Sequence, residues 1–211
     1  MVLSVLATLF VTCLITANII TVKLISVWGW IVPAGIIAYP LTFLFTDVIT
    51  ELYGKRVASR VVWLGFGASI LMVILVVGAK LLTPASFWEG QAAYDSILGM
   101  VPRIVLASMI AYLVSQHHDV FAFSFWRQKT KSRFLWLRNN ASTMVSQAMD
   151  TALFITIAFW GTVPNSVLVN MLVTQYVIKL AIAALDTPFC YLMVYFLKNK
   201  VKPLAGAEAA A

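Results

Sequence analysis

The sequence predicts an all-α membrane protein: a six-transmembrane-helix bundle with both termini cytoplasmic and a polar site near the bilayer midplane. Three observations carry this. The chain is 62% hydrophobic and 11% charged, whereas soluble domains run to about 45–50% apolar and about 25% charged. The apolar residues fall into six runs, each of the length a ~30 Å hydrocarbon core requires. Inside those runs sit five ionisable side chains: Asp47, Asp119, Asp150, Lys179 and Asp186. A charge at bilayer depth costs at least ~2.5 kcal/mol, so such residues normally face a bundle interior and carry function. With 211 residues, one compact bundle is expected and a second soluble domain has no room. Residues 1–204 are read as a single integral membrane domain and 205–211 as a short low-complexity tail.

The spans follow in order. The first run covers residues 2–25. It resembles a signal peptide only in apolarity, since it lacks a basic start and Ala17-Asn18 leads into more apolar chain. The second starts at 31, behind the Trp28-Gly29-Trp30 break, and ends at Tyr53-Gly54. The third covers 57–82 and stops at Thr83-Pro84, before a polar link holding Trp88, Glu89 and Asp95. The fourth covers 97–121 and extends toward Trp126; the fifth covers 140–160, ending at Gly161; the sixth covers 166–197. Pro33, Pro40, Pro102 and Pro188 are expected to kink or open these spans, Pro188 by freeing carbonyls just after Asp186-Thr187. Cys13 and Cys190 both lie in apolar runs and read as small core residues, not as a disulfide or a metal site.

Basic residues orient the bundle. Lys55, Arg56 and Arg60 follow the second span, Arg127, Lys129, Lys131, Arg133 and Arg138 the fourth, and Lys198, Lys200 and Lys202 the sixth. Only Lys23, Lys80 and Arg103 fall on the other side. Eleven against three places both termini in the cytoplasm by the positive-inside rule. The net charge of +7 therefore reflects topology, and no nucleic-acid partner is expected, although Phe134 and Trp136 interleave the basic loop. Trp28, Trp30, Trp88 and Trp160 fall at the opposite interface, where amphipathic rings anchor.

Depth sorts the polar residues. Asp150 and Lys179 each lie about eleven to thirteen residues into their spans, near the midplane at ~1.5 Å per residue. Asp186 is two turns further along nearly the same face. Asp47 and Asp119 belong to the cytoplasmic halves of the second and fourth spans. Glu51, one turn from Asp47 and beside Lys55 and Arg56, suits an interfacial carboxylate as well as a ligand contact. A local repeat, Ser-Gln-x-x-Asp, occurs at 115–119 and again at 146–150. It sets Gln116 with Asp119 and Gln147 with Asp150 on shared helix faces, where amide and carboxylate groups can bind the edge of a planar polar ligand. His117 and His118 point about 100° apart, and no second His or Cys cluster completes a metal shell. No nucleophile–base constellation is present, so neither catalysis nor a cofactor is expected.

These residues together form a longer pattern. Asn18; Thr46-Asp47-(x)3-Glu51-Leu52-Tyr53-Gly54; Arg103-(x)4-Ser108-(x)2-Ala111-Tyr112-(x)3-Gln116-(x)2-Asp119; Ser142-(x)4-Gln147-(x)2-Asp150-Thr151; and Lys179-(x)6-Asp186-Thr187-Pro188 occur in order. The pattern resembles the queuosine precursor transporter family, also called the vitamin uptake transporter family, from Asn18 to Lys200. The resemblance implies six spans and uptake, across the cell (inner) membrane, of 7-deazaguanine precursors salvaged for tRNA modification. These are 7-cyano-7-deazaguanine, 7-aminomethyl-7-deazaguanine or queuine. It also implies a distant likeness to the substrate-binding subunits of energy-coupling-factor importers of vitamins or nucleobases, the alternative reading of function.

A deazaguanine offers ring N–H and exocyclic amine donors on one edge, which a carboxylate accepts in a bidentate manner, while an amide serves its O6. Tyr39, Phe43 or Phe154 would stack on its faces. Gln116, Asp119, Gln147, Asp150 and Asp186 are the expected base-binding residues, with Asn18, Asp47 and Arg103 of second rank. Lys179 is expected either as counter-ion of Asp150 or as a direct contact to a ligand oxygen. The expected partners are a small deazapurine and the lipid bilayer; a homodimer and an associated ATPase module are both compatible with the sequence.

Overall fold

The computed structural model describes residues 1–129 and 135–198, and side chains outside 119–143 and 183–187. Its elements run α1 (Val2–Ile20), β1 (Leu24–Val27), β2 (Trp30–Pro33), a 3₁₀ turn (Ala34–Ile37), α2 (Tyr39–Tyr53), α3 (Lys55–Lys80), α4 (Gln91–Leu98), α5 (Val101–Lys129), α6 (Leu135–Phe159) and α7 (Asn165–Lys198). Among the described residues, four stretches are long and apolar enough to cross a membrane: Val2–Ile20, Lys55–Lys80, Gln91–His118 and Asn165–Ile182. Met144–Phe159 and Pro188–Lys198 are shorter apolar helices. The basic segment at 130–134 and the tail at 199–211, including Lys200 and Lys202, lie outside the described residues.

The chain divides into two compact units. The first holds Met1–Lys23, Pro33–Val101 and Ala181–Ala211; the second holds Leu24–Val32 and Pro102–Leu180. In the first unit α1, α2 and α3 pack on one another. Helix α3 buries Ala58, Val61, Val62, Gly65, Phe66 and Ser69, residues three or four apart on one face. A Cβ at Gly65 would lie 2.8 Å from both Phe10 Cε1 and Leu14 Cδ2. Glycine here lets α1 and α3 approach without displacing the Phe10 and Leu14 side chains, as small residues do between membrane helices. The opposite side of α3 exposes Trp63, Leu64, Ile70, Leu71, Ile74 and Leu75. An apolar surface of that extent suits lipid rather than water.

Three boundaries depart from the sequence expectation. The first helix ends at Ile20, and residues expected to extend it form strand β1 of a two-stranded hairpin. Trp28 and Gly29 between the strands have φ of 51° and 84°, the positive values that tight hairpin turns require. The apolar Leu24–Val27 run fits a strand as well as a helix, and the turn decides the outcome. The second expected span is a composite of β2, the 3₁₀ turn and α2, whose 15 residues reach only ~22 Å. Pro33 ends the strand, and Pro40 occupies the first turn of α2, where no backbone N–H is needed. The fourth expected span is interrupted at Gly99-Met100, so that Gln91–Leu98 forms α4 and the stretch continues as α5. That short helix is held by Tyr94 Oη donating to the Val76 carbonyl at 3.2 Å and by Asp95 lying 3.7 Å from Lys80. Pro188 lies within α7, which is helical on both sides of it. Trp28, Trp30, Trp88 and Trp160 are all exposed, and no disulfide joins Cys13 to Cys190.

Candidate functional site

The second unit holds the most polar interior. Helices α5, α6 and α7 each contribute a buried stripe there: Ile104, Ala107, Ala111 and Ser115 on α5; Thr151, Ile155 and Ala158 on α6; Met171, Thr174, Gln175 and Lys179 on α7. Each stripe repeats at three or four residues, as a buried helix face must. The α7 stripe changes from apolar to polar toward Lys179, and that change builds the site.

Lys179 Nζ donates to Asp150 Oδ2 at 2.5 Å, joining α7 to α6. The Lys179 side chain is only 2% exposed, whereas that of Asp150 is 21% exposed. An isolated charge in this setting would be strongly disfavoured, and the pairing makes both tolerable. Such a pair adds little stability over a well-packed apolar pair, so its presence points to a task. A carboxylate has about four lone-pair sites. One ammonium therefore leaves Asp150 with accepting capacity on its open side.

Further bonds fix the surrounding frame. Tyr176 Oη donates to the Met144 carbonyl at 3.4 Å, a second link between α7 and α6. His118 Nδ1 lies 3.1 Å from Ser146 Oγ, linking α5 to α6, while the His117 ring donates from Nδ1 to the Leu113 carbonyl at 2.7 Å. The two imidazoles thus diverge to different partners, as adjacent helical residues do. Asn170 Oδ1 accepts the Ile31 backbone N–H at 2.8 Å and the Thr174 hydroxyl at 3.3 Å, pinning the hairpin to α7.

The other expected site residues divide by setting. Arg103 Nε donates to the Ile157 carbonyl and Nη2 to the Trp160 carbonyl, both at 2.6 Å. Ile157 lies in the last turn of α6 and Trp160 just past it, at a helix end that lacks intrahelical donors and attracts cations. The Arg103 guanidinium is thus engaged as a helix cap. Gln147 is half-buried one turn before Asp150, and Gln116 is exposed on α5. In the first unit Asn18 is buried and donates from Nδ2 to Ser69 Oγ at 3.4 Å, while Asp47 lies on the exposed side of α2. The side chains of Asp119 and Asp186 lie outside the described residues. Sequence reading passed over Asn170, Thr174 and Gln175, buried or bonded within this frame, and Ser69, which is buried beside Asn18 in the first unit. The i, i+4 pairs Asn170–Thr174 and Gln175–Lys179 were the available signal.

Comparison with known proteins gives this polar frame a family. A family model described as "Putative vitamin uptake transporter" matches residues 33–193. A "Probable queuosine precursor transporter" of Bacillus subtilis (strain 168) is 37% identical over 178 residues, covering 84% of this chain and 78% of that protein. The "Queuosine precursor transporter" of Escherichia coli (strain K12) is 33% identical over 153 residues, covering 72% and 66%. A "Probable queuosine precursor transporter" of Haemophilus influenzae is 27% identical over 126 residues, covering 60% and 51%. No solved structure matches significantly. Long apolar helices, a buried intramembrane ion pair and relatives of one kind lead to a single assignment. The chain belongs to the queuosine precursor transporter family, also described as vitamin uptake transporters, and is a multi-pass membrane transporter rather than an enzyme.

Proposed function

We propose that this transporter imports 7-deazaguanine-type precursors of queuosine for tRNA modification salvage: 7-cyano-7-deazaguanine, 7-aminomethyl-7-deazaguanine or queuine. The single observation that carries the reading is the Lys179–Asp150 pair, an enclosed ammonium holding a carboxylate that keeps an open side. A carboxylate held by an enclosed ammonium and open on its other side suits a ligand edge with two adjacent N–H donors, which guanine-type bases present at N1 and the 2-amino group. The names carried by the relatives support the same substrate class. In this reading Gln116, Asp119, Gln147 and Asp186 join Asp150 in holding the base. Asn18, Asp47 and Arg103 act at second rank, Arg103 by fixing the α6 terminus. The transporter is one domain over 1–204, crosses the bacterial inner membrane six times, and keeps both termini in the cytoplasm.

A binding screen on the purified full chain tests the substrate. A ligand that binds only the folded state raises stability by ~2.7 kcal/mol at a hundredfold excess over its Kd. The 7-deazaguanines should raise the melting temperature in detergent, and adenine should not. A shift from adenine or an unrelated vitamin, with none from any deazaguanine, would overturn the assignment.

A further inference from the structure

Among the described residues, two buried side-chain polar atoms have no hydrogen-bond partner within the protein: Thr151 Oγ1 and Gln175 Oε1. Both flank the ion pair. Thr151 directly follows Asp150 on α6, and Gln175 precedes Lys179 by one turn on the same face of α7. Thr151 is 1% exposed and Gln175 6%, so bulk solvent does not satisfy either. Buried polar atoms are nearly always partnered, and an exception calls for a cause. Other threonines in the chain show the ordinary solution. Thr8, Thr46 and Thr50 each donate to the carbonyl four residues earlier, the usual way a helix absorbs a hydroxyl. Thr151 does not, and the Gln175 oxygen has no local donor either.

We propose that Gln175 Oε1 is a substrate acceptor, taking an N–H of the base whose donor edge Asp150 accepts, with the Thr151 hydroxyl as an adjoining contact. This rests on the deazaguanine reading of the site. A guanine-type base carries N–H donors at N1, at the 2-amino group and at N9, more than a single carboxylate takes at once. An amide oxygen one turn from the carboxylate's counter-ion supplies the next acceptor. The empty site then holds an unsatisfied acceptor that the correct ligand completes, and a base without the matching donor leaves it unpaired. Discrimination of that kind is large, because the penalty falls on a buried polar group.

The test uses the full chain in detergent, with 7-cyano-7-deazaguanine as probe and two variants, Gln175→Leu and Gln175→Met. Each nearly conserves volume and removes the orphan oxygen. The ligand-free melting temperature should hold or rise, because an unpartnered polar group has been replaced by an apolar one. Probe affinity should fall at least tenfold in both variants, and Thr151→Val should weaken it by a smaller factor. Wild-type affinity in both Gln175 variants, as an occluded structural water would give, overturns this inference and leaves the parent reading standing. A parallel loss of ligand-free stability and affinity in both assigns Gln175 to packing and also overturns it. Failure of the wild-type protein to bind any deazaguanine removes both readings together.

Discussion

Lys179 and Asp150 share one hydrogen bond of 2.5 Å, yet the ammonium is enclosed and the carboxylate is not, at 2% against 21% exposure. Removing either partner should therefore destabilise the fold, and removing Asp150 more than removing Lys179, because the charge left behind is the more enclosed one. Asp150→Asn or Lys179→Met alone breaks the pair, a change that costs about 3–5 kcal/mol in buried pairs. The double variant removes both charges and should regain most of that loss without regaining transport. Thermal unfolding in detergent reads the cycle. Equal damage in the singles and the double would show that the two residues are not coupled.

Arg103 presents a different balance. Its two bonds to the Ile157 and Trp160 carbonyls are charge-assisted, a class in which each bond contributes ~1.5–3 kcal/mol. Arg103→Met should lower the ligand-free melting temperature by the equivalent of at least one such bond. Arg103→Lys should recover only part, because an ammonium cannot span two carbonyls as the planar fork does. Ligand-induced stabilisation should be unchanged in both. A variant that folds as well as wild type but loses its ligand shift would instead place Arg103 on the substrate.

The contrast between these two sites shows what the sequence made legible. Asp150 and Lys179 stood out because a charge in an apolar run is costly wherever the chain goes, and their matched depth suggested the pairing. Arg103 has no such signature, since its partners lie 54 and 57 residues away and are backbone groups that any sequence provides. Asn170, Thr174 and Gln175 were passed over because single uncharged polar residues in membrane helices usually need no explanation. The long helices followed from hydrophobic length. The hairpin at 24–33 did not, because a four-residue apolar run reads as strand or helix until its turn is known. Asp119 and Asp186 were as prominent in sequence as Asp150, and their side chains fall outside the described residues.

Orientation has its own test. In the proposed orientation, drawn from the basic residues, positions 127–138 and both termini are cytoplasmic and the 88–95 link is outside. In a Cys13→Ala, Cys190→Ala background, a cysteine placed in the 88–95 link should react with an impermeant thiol reagent applied to intact cells. A cysteine beside Lys131 should react only after the membrane is opened. The reverse pattern would invert the bundle and place the Trp28–Gly29 turn in the cytoplasm.

The last expectation concerns the base edge itself. Asp150→Asn keeps the volume but replaces one acceptor oxygen with an amine, so a donor meets the donor edge of the ligand. A site built around a buried acceptor rejects the mismatched partner strongly, because its own group is left unpaired as well as the ligand's. Affinity for a 7-deazaguanine should fall at least a hundredfold, equivalent to about 2.7 kcal/mol. Loss of binding alone would not separate recognition from the folding cost of breaking the pair. The informative protein is therefore the Asp150→Asn/Lys179→Met double variant, which removes both charges. Folded yet unable to bind, while Lys179→Met alone still binds, it would place recognition on the carboxylate. Folded and binding at wild-type affinity, it would move recognition to amides, backbone or stacking, and the ion pair would be a structural feature of the bundle alone.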